Sequence, residues 1–151
     1  TAAGLVLRPT WVPFTPWTTL DDVLDLLNFV ESRGLVGHVQ PVQYALRLLL
    51  PPGSPLIDRI RATGRLTGFD SAGLTYTWSS PDPRVDALQA ELLAITESAA
   101  GTHDGASLPP EHVFAEVKRA AVRAATGRDA PVAVAPQPQR HVPGLTEAWF
   151  C

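Results

Sequence analysis

The stretch that decides the fold reads Pro41-Val42-Gln43-Tyr44-Ala45-Leu46-Arg47-Leu48-Leu49-Leu50-Pro51-Pro52-Gly53-Ser54. Its apolar run is short and bounded by proline at both ends, which favours one β-strand over a helix. Alternation along that strand gives an apolar face of Tyr44, Leu46, Leu48 and Leu50, and an opposite face of Gln43, Ala45, Arg47 and Leu49. A strand covered on both faces is typical of a parallel sheet. The polar side chains on it would then need partners, and a ligand is one possibility.

Upstream of this stretch the pattern predicts a strand followed by a helix. The strand covers Ala3 to Thr10 and is ended by proline. The helix begins at Thr18 or Thr19, either of which has an aspartate three residues later, and it ends at Gly34. Strand, helix and strand together predict a right-handed βαβ unit. The ligand end of such a unit is the C-terminal edge of its strands, where Arg8, Thr10 and the turn of residues 51–54 would lie.

Downstream, the pattern predicts three more helices and one more strand. A second helix runs from a Ser54 cap to about Gly64, residues 68–73 form a loop, and a short strand covers Leu74 to Trp78. A third helix is capped by Asp82 and ends at Ala100-Gly101, and a fourth runs from Ser107 or Pro109 to Gly127. From Arg128 to about His141 the chain is rich in proline, alanine and glutamine, which predicts an extended or disordered segment.

Composition limits the function classes. The net charge of −3 over 151 residues gives no basic footprint for nucleic acid. No apolar run is long enough to span a bilayer and no signal peptide opens the sequence, so we expect a cytoplasmic protein without a membrane partner. The single cysteine, Cys151, excludes a disulfide within the chain. The sequence begins at Thr1 and contains no methionine, so we expect a fragment of a longer chain, although a processed or trimmed chain would look the same.

Several side chains are candidates for chemistry, and each has a structural alternative. Gln43 and Arg47 either line a pocket for a polar substrate or cofactor, or bond to loop carbonyls or an aspartate. Ser54 either helps to bind an anion at a helix N-terminus or only caps that helix. Trp11 and Trp17 either pack in the protein or stack on a ligand. The four histidines have no ligand spacing, so the sequence predicts no metal site in this chain.

Two segments resemble a known family. They are residues 9–19 continuing into residues 41–54, and the end Leu145-Thr146-Glu147-Ala148-Trp149-Phe150-Cys151. They look like the C-terminal part of radical S-adenosylmethionine proteins with a Cys-Cys-Ala-Glu-Pro or Cys-selenocysteine-Ala-Glu-Pro tail. The resemblance covers nearly the whole chain. It implies an α/β fold made of the last βα units of a partial (βα)6 TIM-type barrel. The barrel portion would be residues 1–100, a helical extension residues 101–127, and a Pro-rich tail residues 128–151.

The resemblance also implies the chemistry. The family cleaves S-adenosylmethionine with a [4Fe-4S] cluster held by a CxxxCxxC motif, and that motif is absent here. This chain would therefore hold neither cofactor alone, and its partner would be the missing N-terminal part of the same protein. The residues expected to face cofactor or substrate are Arg8, Thr10, Gln43, Arg47 and Ser54. The expected substrate is a small molecule or a peptide.

Cys151 is the expected redox-active catalytic residue of the tail, and an inert terminal thiol is the alternative. The family has Cys or selenocysteine at the next position, and selenocysteine is encoded by UGA. Our hypothesis is that an unrecognised UGA codon ends this sequence, and that the parent is a selenoprotein. A different class of function remains open, namely a small non-catalytic α/β scaffold or binding module.

Overall fold

A computed structural model describes residues 8–100, 108–129, 131, 132 and 134. The described part contains four α-helices and one two-stranded antiparallel sheet, and is therefore a mixed helix–strand fold. The elements are α1 (Leu20–Ser32), 3₁₀ helices at Val36–His38 and Pro41–Tyr44, α2 (Leu56–Ala62), β1 (Leu66–Asp70), β2 (Thr75–Trp78), α3 (Pro83–Ala100) and α4 (Pro110–Thr126). No described helix is long and apolar enough to cross a membrane.

Helix α1 begins and ends where the sequence predicts. The hydroxyl of Thr19 accepts a hydrogen bond from the backbone N–H of Asp22, and the Asp22 carboxylate accepts one from the Thr19 N–H. This capping box satisfies two N–H groups that the first helical turn leaves without intrahelical partners. At the other end Gly34 has a φ of 66°, the left-handed conformation that glycine adopts without steric cost.

The prediction of one strand over residues 41–50 is wrong. Pro41–Tyr44 forms a 3₁₀ helix, with proline in the first helical turn, where its missing N–H costs nothing. The Ala45 N–H donates to the Val42 carbonyl at 3.0 Å, the i to i−3 bond of a 3₁₀ turn, and Tyr44 and Ala45 are both buried. Strand-like pairing begins only after this turn, where Arg47 forms a parallel bridge with Phe14 and Leu50 an antiparallel bridge with Tyr76.

The predicted βαβ unit is correspondingly reduced to a short contact. Phe14 donates to the Leu46 carbonyl at 3.2 Å and accepts from the Leu48 N–H at 2.8 Å, with α1 connecting the two segments. Residues 3–7 of the predicted first strand lie outside the described residues, and residues 8–10 belong to no regular element. The described part therefore contains a parallel contact across a helix, but its only sheet is antiparallel.

The sheet is a hairpin that was predicted only in its second half. Strand β2 agrees with the prediction for Leu74 to Trp78, whereas the loop predicted over residues 68–73 is wrong because Gly68 to Asp70 belong to β1. β1 pairs with β2 with one register shift between Leu66 and Gly68. Apart from the half-buried Leu66, β1 is exposed, so it lacks the alternation of apolar and polar residues that indicates a strand.

Helices α3 and α4 form most of the core together with α1. Pro83 begins α3 after Asp82, and Gly127 ends α4 in the left-handed conformation with φ 70°, as predicted. α4 contacts α1, α3 and both 3₁₀ helices, and the buried side chains Leu92, Phe114 and Val117 belong to this main core. A second, smaller core of Leu50, Ile60 and Trp78 lies under the hairpin.

Candidate functional site

The predicted site residues do not form one cluster in the described part of the chain. Arg8 and Thr10 are exposed, whereas Gln43, Arg47 and Ser54 are half-buried. Cys151 lies outside the described residues. The two side chains on the expected pocket face, Gln43 and Arg47, bond to different parts of the structure.

Arg47 is the centre of a polar network that joins three elements. Its Nη1 donates to Asp86 Oδ1 at 2.8 Å, and its Nη2 donates to the carbonyl oxygen of Trp78. The guanidinium carbon lies 3.7 Å from the centroid of the Trp78 ring, so the cation also faces the indole. The Trp78 Nε1 in turn donates to the Leu48 carbonyl at 2.9 Å. Arg47 thus connects the Phe14-paired segment to the end of β2 and to the first turn of α3.

Asp86 has a second set of donors besides Arg47. The Ser80 backbone N–H donates to Oδ2 and the Ser80 hydroxyl to Oδ1, both at 2.9 Å. Burial by itself raises the pKa of Asp86. The bonds from the Ser80 N–H, from Arg47 and from the Ser80 hydroxyl outweigh this effect, so the net pKa lies below the ordinary aspartate value. The carboxylate is therefore held in its charged form.

Gln43 holds the segment before Phe14 against the second 3₁₀ helix. Its Oε1 accepts from the Trp11 backbone N–H at 3.3 Å. From the other side, Gln89 on α3 donates through Nε2 to the Ala45 carbonyl at 3.0 Å. Both amides satisfy backbone groups of segments that lack regular pairing. Gln43 thus has a structural partner, but this partner is a backbone N–H and not the loop carbonyl or aspartate that was expected.

Next to Gln43 lies a cluster of aromatic rings. It contains buried polar atoms that the sequence did not indicate. Tyr44 is 3% exposed, and its ring is edge-on to Phe114 at 5.6 Å and tilted against Trp11 at 6.5 Å, both measured between centroids. Burial strongly raises the pKa of Tyr44, so its phenol stays protonated. The Tyr44 hydroxyl and the Trp11 Nε1 are both buried, and neither has a hydrogen-bond partner among the described residues. Tyr44 was predicted only as part of an apolar face, and no sequence signal marked its hydroxyl.

The remaining candidates form weaker arrangements. Ser54 Oγ accepts from the Leu56 N–H at 3.4 Å, a long bond at the start of a seven-residue helix whose N-cap position is Pro55. An open groove of about 520 Å³ lies between α3 and α4. Its charged lining residues include Arg123, which pairs with Glu91, and Arg84, which pairs with Asp82. These charges are therefore neutralised by neighbours within the chain.

The described residues do not fit an iron–sulfur cluster. Among residues 8–100, 108–129 and the three described positions beyond, no group of three or more His, Cys, Asp or Glu could hold a metal ion. A [4Fe-4S] cluster needs several cysteine thiolates, and the chain has one cysteine.

Comparison of the sequence and the structure with models of protein families, with curated proteins and with solved structures found no match.

Proposed function

We propose that this chain is the C-terminal part of a radical S-adenosylmethionine enzyme, in which it contributes wall segments of a partial (βα)6 barrel and a redox tail that includes Cys151. The proposal rests on the sequence resemblance of residues 9–19, 41–54 and 145–151. The observation in the structure that carries it is the parallel pairing of Phe14 with residues 46–48 across α1. Parallel pairing across a helix is the connection from which βα barrels are built.

The exposed side chains next to that pairing also support the proposal. Four of the nine large apolar side chains that are prominently exposed in the described residues lie close in sequence to the paired residues, Phe14 and 46–48: Val12, Trp17, Val42 and Leu49. Large apolar side chains exposed in neighbouring segments are typical of a surface that another part of a protein covers. The preceding strands of a barrel would cover these side chains in the complete enzyme. Arg8 and Thr10, which are exposed here, would then contact substrate or cofactor.

The test begins with the gene. We expect the reading frame upstream of Thr1 to encode CxxxCxxC, and codon 152 to be UGA followed by codons for Ala-Glu-Pro. The protein made from that complete frame, reconstituted with iron and sulfide, should release 5′-deoxyadenosine from S-adenosylmethionine under reducing conditions, whereas the 151-residue chain should not. An upstream frame without the motif, or a complete protein that binds no iron, would refute the proposal.

A Cys151→Ser variant of the complete protein tests the role of the tail independently of the role of the barrel. We expect it to bind iron and to cleave S-adenosylmethionine in a single turnover like the unaltered protein, but to lose multiple turnover. A variant with unchanged multiple turnover would show that Cys151 is not catalytic, without affecting the assignment of the barrel.

The alternative is a small non-catalytic α/β scaffold or binding module. The observation that favours it is that the polar groups of Gln43 and Arg47 bond within the chain. The two functions are distinguished by the same gene and iron measurements, because a self-contained module needs neither an upstream motif nor a cluster.

A further inference from the structure

Strand β1 is an open edge of the hairpin. Within the described residues it pairs with β2 alone, and the sheet continues on the other side of β2 through the bridge between Leu50 and Tyr76. Four of the five residues of β1 are exposed. An exposed edge strand presents backbone N–H and C=O groups to which a strand of another molecule can add. The outer side of β1 is therefore a surface on which a further strand can pair.

This edge has opposite charges at its two ends. It begins with Arg65, whose carbonyl accepts from the Ser79 N–H at 3.0 Å and so extends the hairpin, and it ends with Asp70. We call residues 65–70 the β1 edge. When two such edges run antiparallel with their centres aligned, Arg65 of each copy lies opposite Asp70 of the other. A two-fold axis through the middle of the contact repeats this pair, so both ends of the contact join opposite charges.

The apolar side chains of the β1 edge match in the same register. The pairing partners of Leu66 and Phe69 in β2 are Trp78 and Tyr76. Since these partners are two residues apart, Leu66 and Phe69 face the same side of the hairpin. The register shift between Leu66 and Gly68 permits this, because an uninterrupted strand turns residues three apart to opposite faces. In the aligned pair, Phe69 of each copy, which is 47% exposed, lies beside Leu66 of the other.

Neither charge of the β1 edge has an ion-pair partner within the part of the chain that the structure describes. The Asp70 Oδ1 accepts from the Ala72 N–H at 3.0 Å, a contact within the turn that does not neutralise the carboxylate. Charged residues and bulges keep edge strands from pairing indiscriminately. On the β1 edge they favour one register, because only the aligned antiparallel register joins both charges.

We propose that the β1 edge pairs antiparallel with the β1 edge of a second copy of this chain, which gives a two-fold symmetric dimer with a continuous four-stranded sheet. The contact is smaller than a standard interface of roughly 1,600 Å², so we expect reversible dimers with a dissociation constant of about 10 to 100 µM. The inference goes beyond the proposed function and does not depend on it.

Sedimentation equilibrium of the 151-residue chain measures the association. Concentrations from about 1 µM to 1 mM bracket the expected constant. We expect the average mass to rise from that of one chain to that of two. A chain that stays monomeric over this range would overturn the proposal.

Two charge reversals, Arg65→Asp and Asp70→Arg, test the register. Each variant alone places like charges opposite each other at both ends of the contact, so we expect its dimers to be about tenfold weaker or more. In an equal mixture, the new carboxylate of one variant faces the new guanidinium of the other, and the original pair remains at the other end. The mixture should therefore form heterodimers about as tight as the unaltered dimer. A mixture that associates no better than the separate variants would contradict the proposed register.

The matched control is Arg119→Asp, an exposed position on α4 with the same change of net charge as Arg65→Asp. It should change the dissociation constant less than about twofold. A loss equal to that of Arg65→Asp would assign the effect to net charge or to another surface, and the proposal would be wrong.

Nuclear magnetic resonance on the unaltered chain tests the contact without any substitution. In a mixture of isotope-labelled and unlabelled chains, we expect intermolecular nuclear Overhauser effects between Leu66 of one copy and Phe69 of the other. A dimeric sample in which these signals are absent would show that the two copies associate through a different surface, which would overturn the assignment to the β1 edge.

Discussion

The guanidinium of Arg47 lies over the indole of Trp78, with its central carbon 3.7 Å from the ring centroid, and also donates to the Trp78 backbone carbonyl. One arginine thus contacts both the side chain and the main chain of a residue 31 positions later. Since Asp86 pairs with the same guanidinium, the cation contacts an indole ring, a backbone carbonyl and a carboxylate. The Arg47 side chain is only 27% exposed, so these contacts are less screened by solvent than those of a surface ion pair.

We predict that Arg47→Met lowers the free energy of unfolding by about 2 kcal/mol, since it removes two hydrogen bonds of a charged group and leaves Asp86 without its counter-ion. Arg47→Lys should lose less, because it keeps the charge but not the planar contact with Trp78. Urea unfolding followed by tryptophan fluorescence measures both changes.

The matched control is Arg61→Met, which removes the exposed pair of Arg61 with Asp58 on α2. Exposed pairs contribute little, so we expect a change below about 0.5 kcal/mol. Equal losses in Arg47→Met and Arg61→Met would contradict the importance given to the Arg47 network.

A second prediction concerns acid. The pKa of Asp86 is lower in the folded chain than in the unfolded chain, where an aspartate has a pKa of about 3.9. As the pH falls, the unfolded state therefore binds a proton at Asp86 before the folded state does. The stabilisation by Asp86 is present above the pKa of the unfolded state and is lost as the pH falls toward the lower pKa of the folded state. In Asp86→Asn we expect lower stability at pH 7 and a shallower loss of stability between pH 5 and pH 3, measured by urea unfolding at each pH.

Ser80→Ala is the companion variant, because it removes the hydroxyl donor to Asp86 and leaves the backbone donor. Its pH dependence should lie between those of Asp86→Asn and the unaltered chain. If the acid-induced loss of Asp86→Asn equalled that of the unaltered chain, another carboxylate would be responsible.

The sequence was a good guide where structure depends on neighbouring residues. The cap at Thr19 and the glycines that end α1 and α4 were all predicted, since each is fixed by a few adjacent residues. It was a poor guide to residues 41–45, where alternation of side chains looked the same as the pattern of a strand. There the 3₁₀ turn places Tyr44 against Phe114, a contact 70 residues away that no local pattern contains.

The difference between local patterns and tertiary contacts also explains how much of the candidate site could be predicted. The sequence marked Gln43 and Arg47 as polar groups in an apolar segment that would need partners, and both have them. It could not name Asp86, Ser80 or Trp78, because these approach Arg47 only through tertiary packing. The hairpin strand β1 was missed because its exposed residues give no signal of a buried face.

We predict that Thr19→Ala destabilises the chain by about 1 kcal/mol, the usual cost of removing an N-cap side chain. The side-chain and backbone hydrogen bonds of Thr19 lower the pKa of Asp22, so the two residues support each other. Thermal unfolding followed by circular dichroism measures the loss. Ser32→Ala, near the other end of α1, is the control and should change stability by less than about 0.5 kcal/mol. An unchanged melting temperature in Thr19→Ala would be evidence against the capping box.

At the turn of the hairpin we predict a substitution that stabilises the chain. Leu74 has a φ of 50°, a left-handed conformation that is unfavourable for a side chain with a Cβ, and it is 66% exposed, so its side chain gains little from burial. Asparagine adopts this conformation more easily than leucine, and it does not add the freedom that glycine gives to the unfolded chain. We expect Leu74→Asn to raise the free energy of unfolding by about 0.5 to 1 kcal/mol, and Leu74→Val, whose branched side chain fits the conformation worse, to lower it. Urea unfolding of the two variants side by side tests this order, and a Leu74→Asn variant less stable than Leu74→Val would show that the turn between β1 and β2 does not hold residue 74 in the left-handed region.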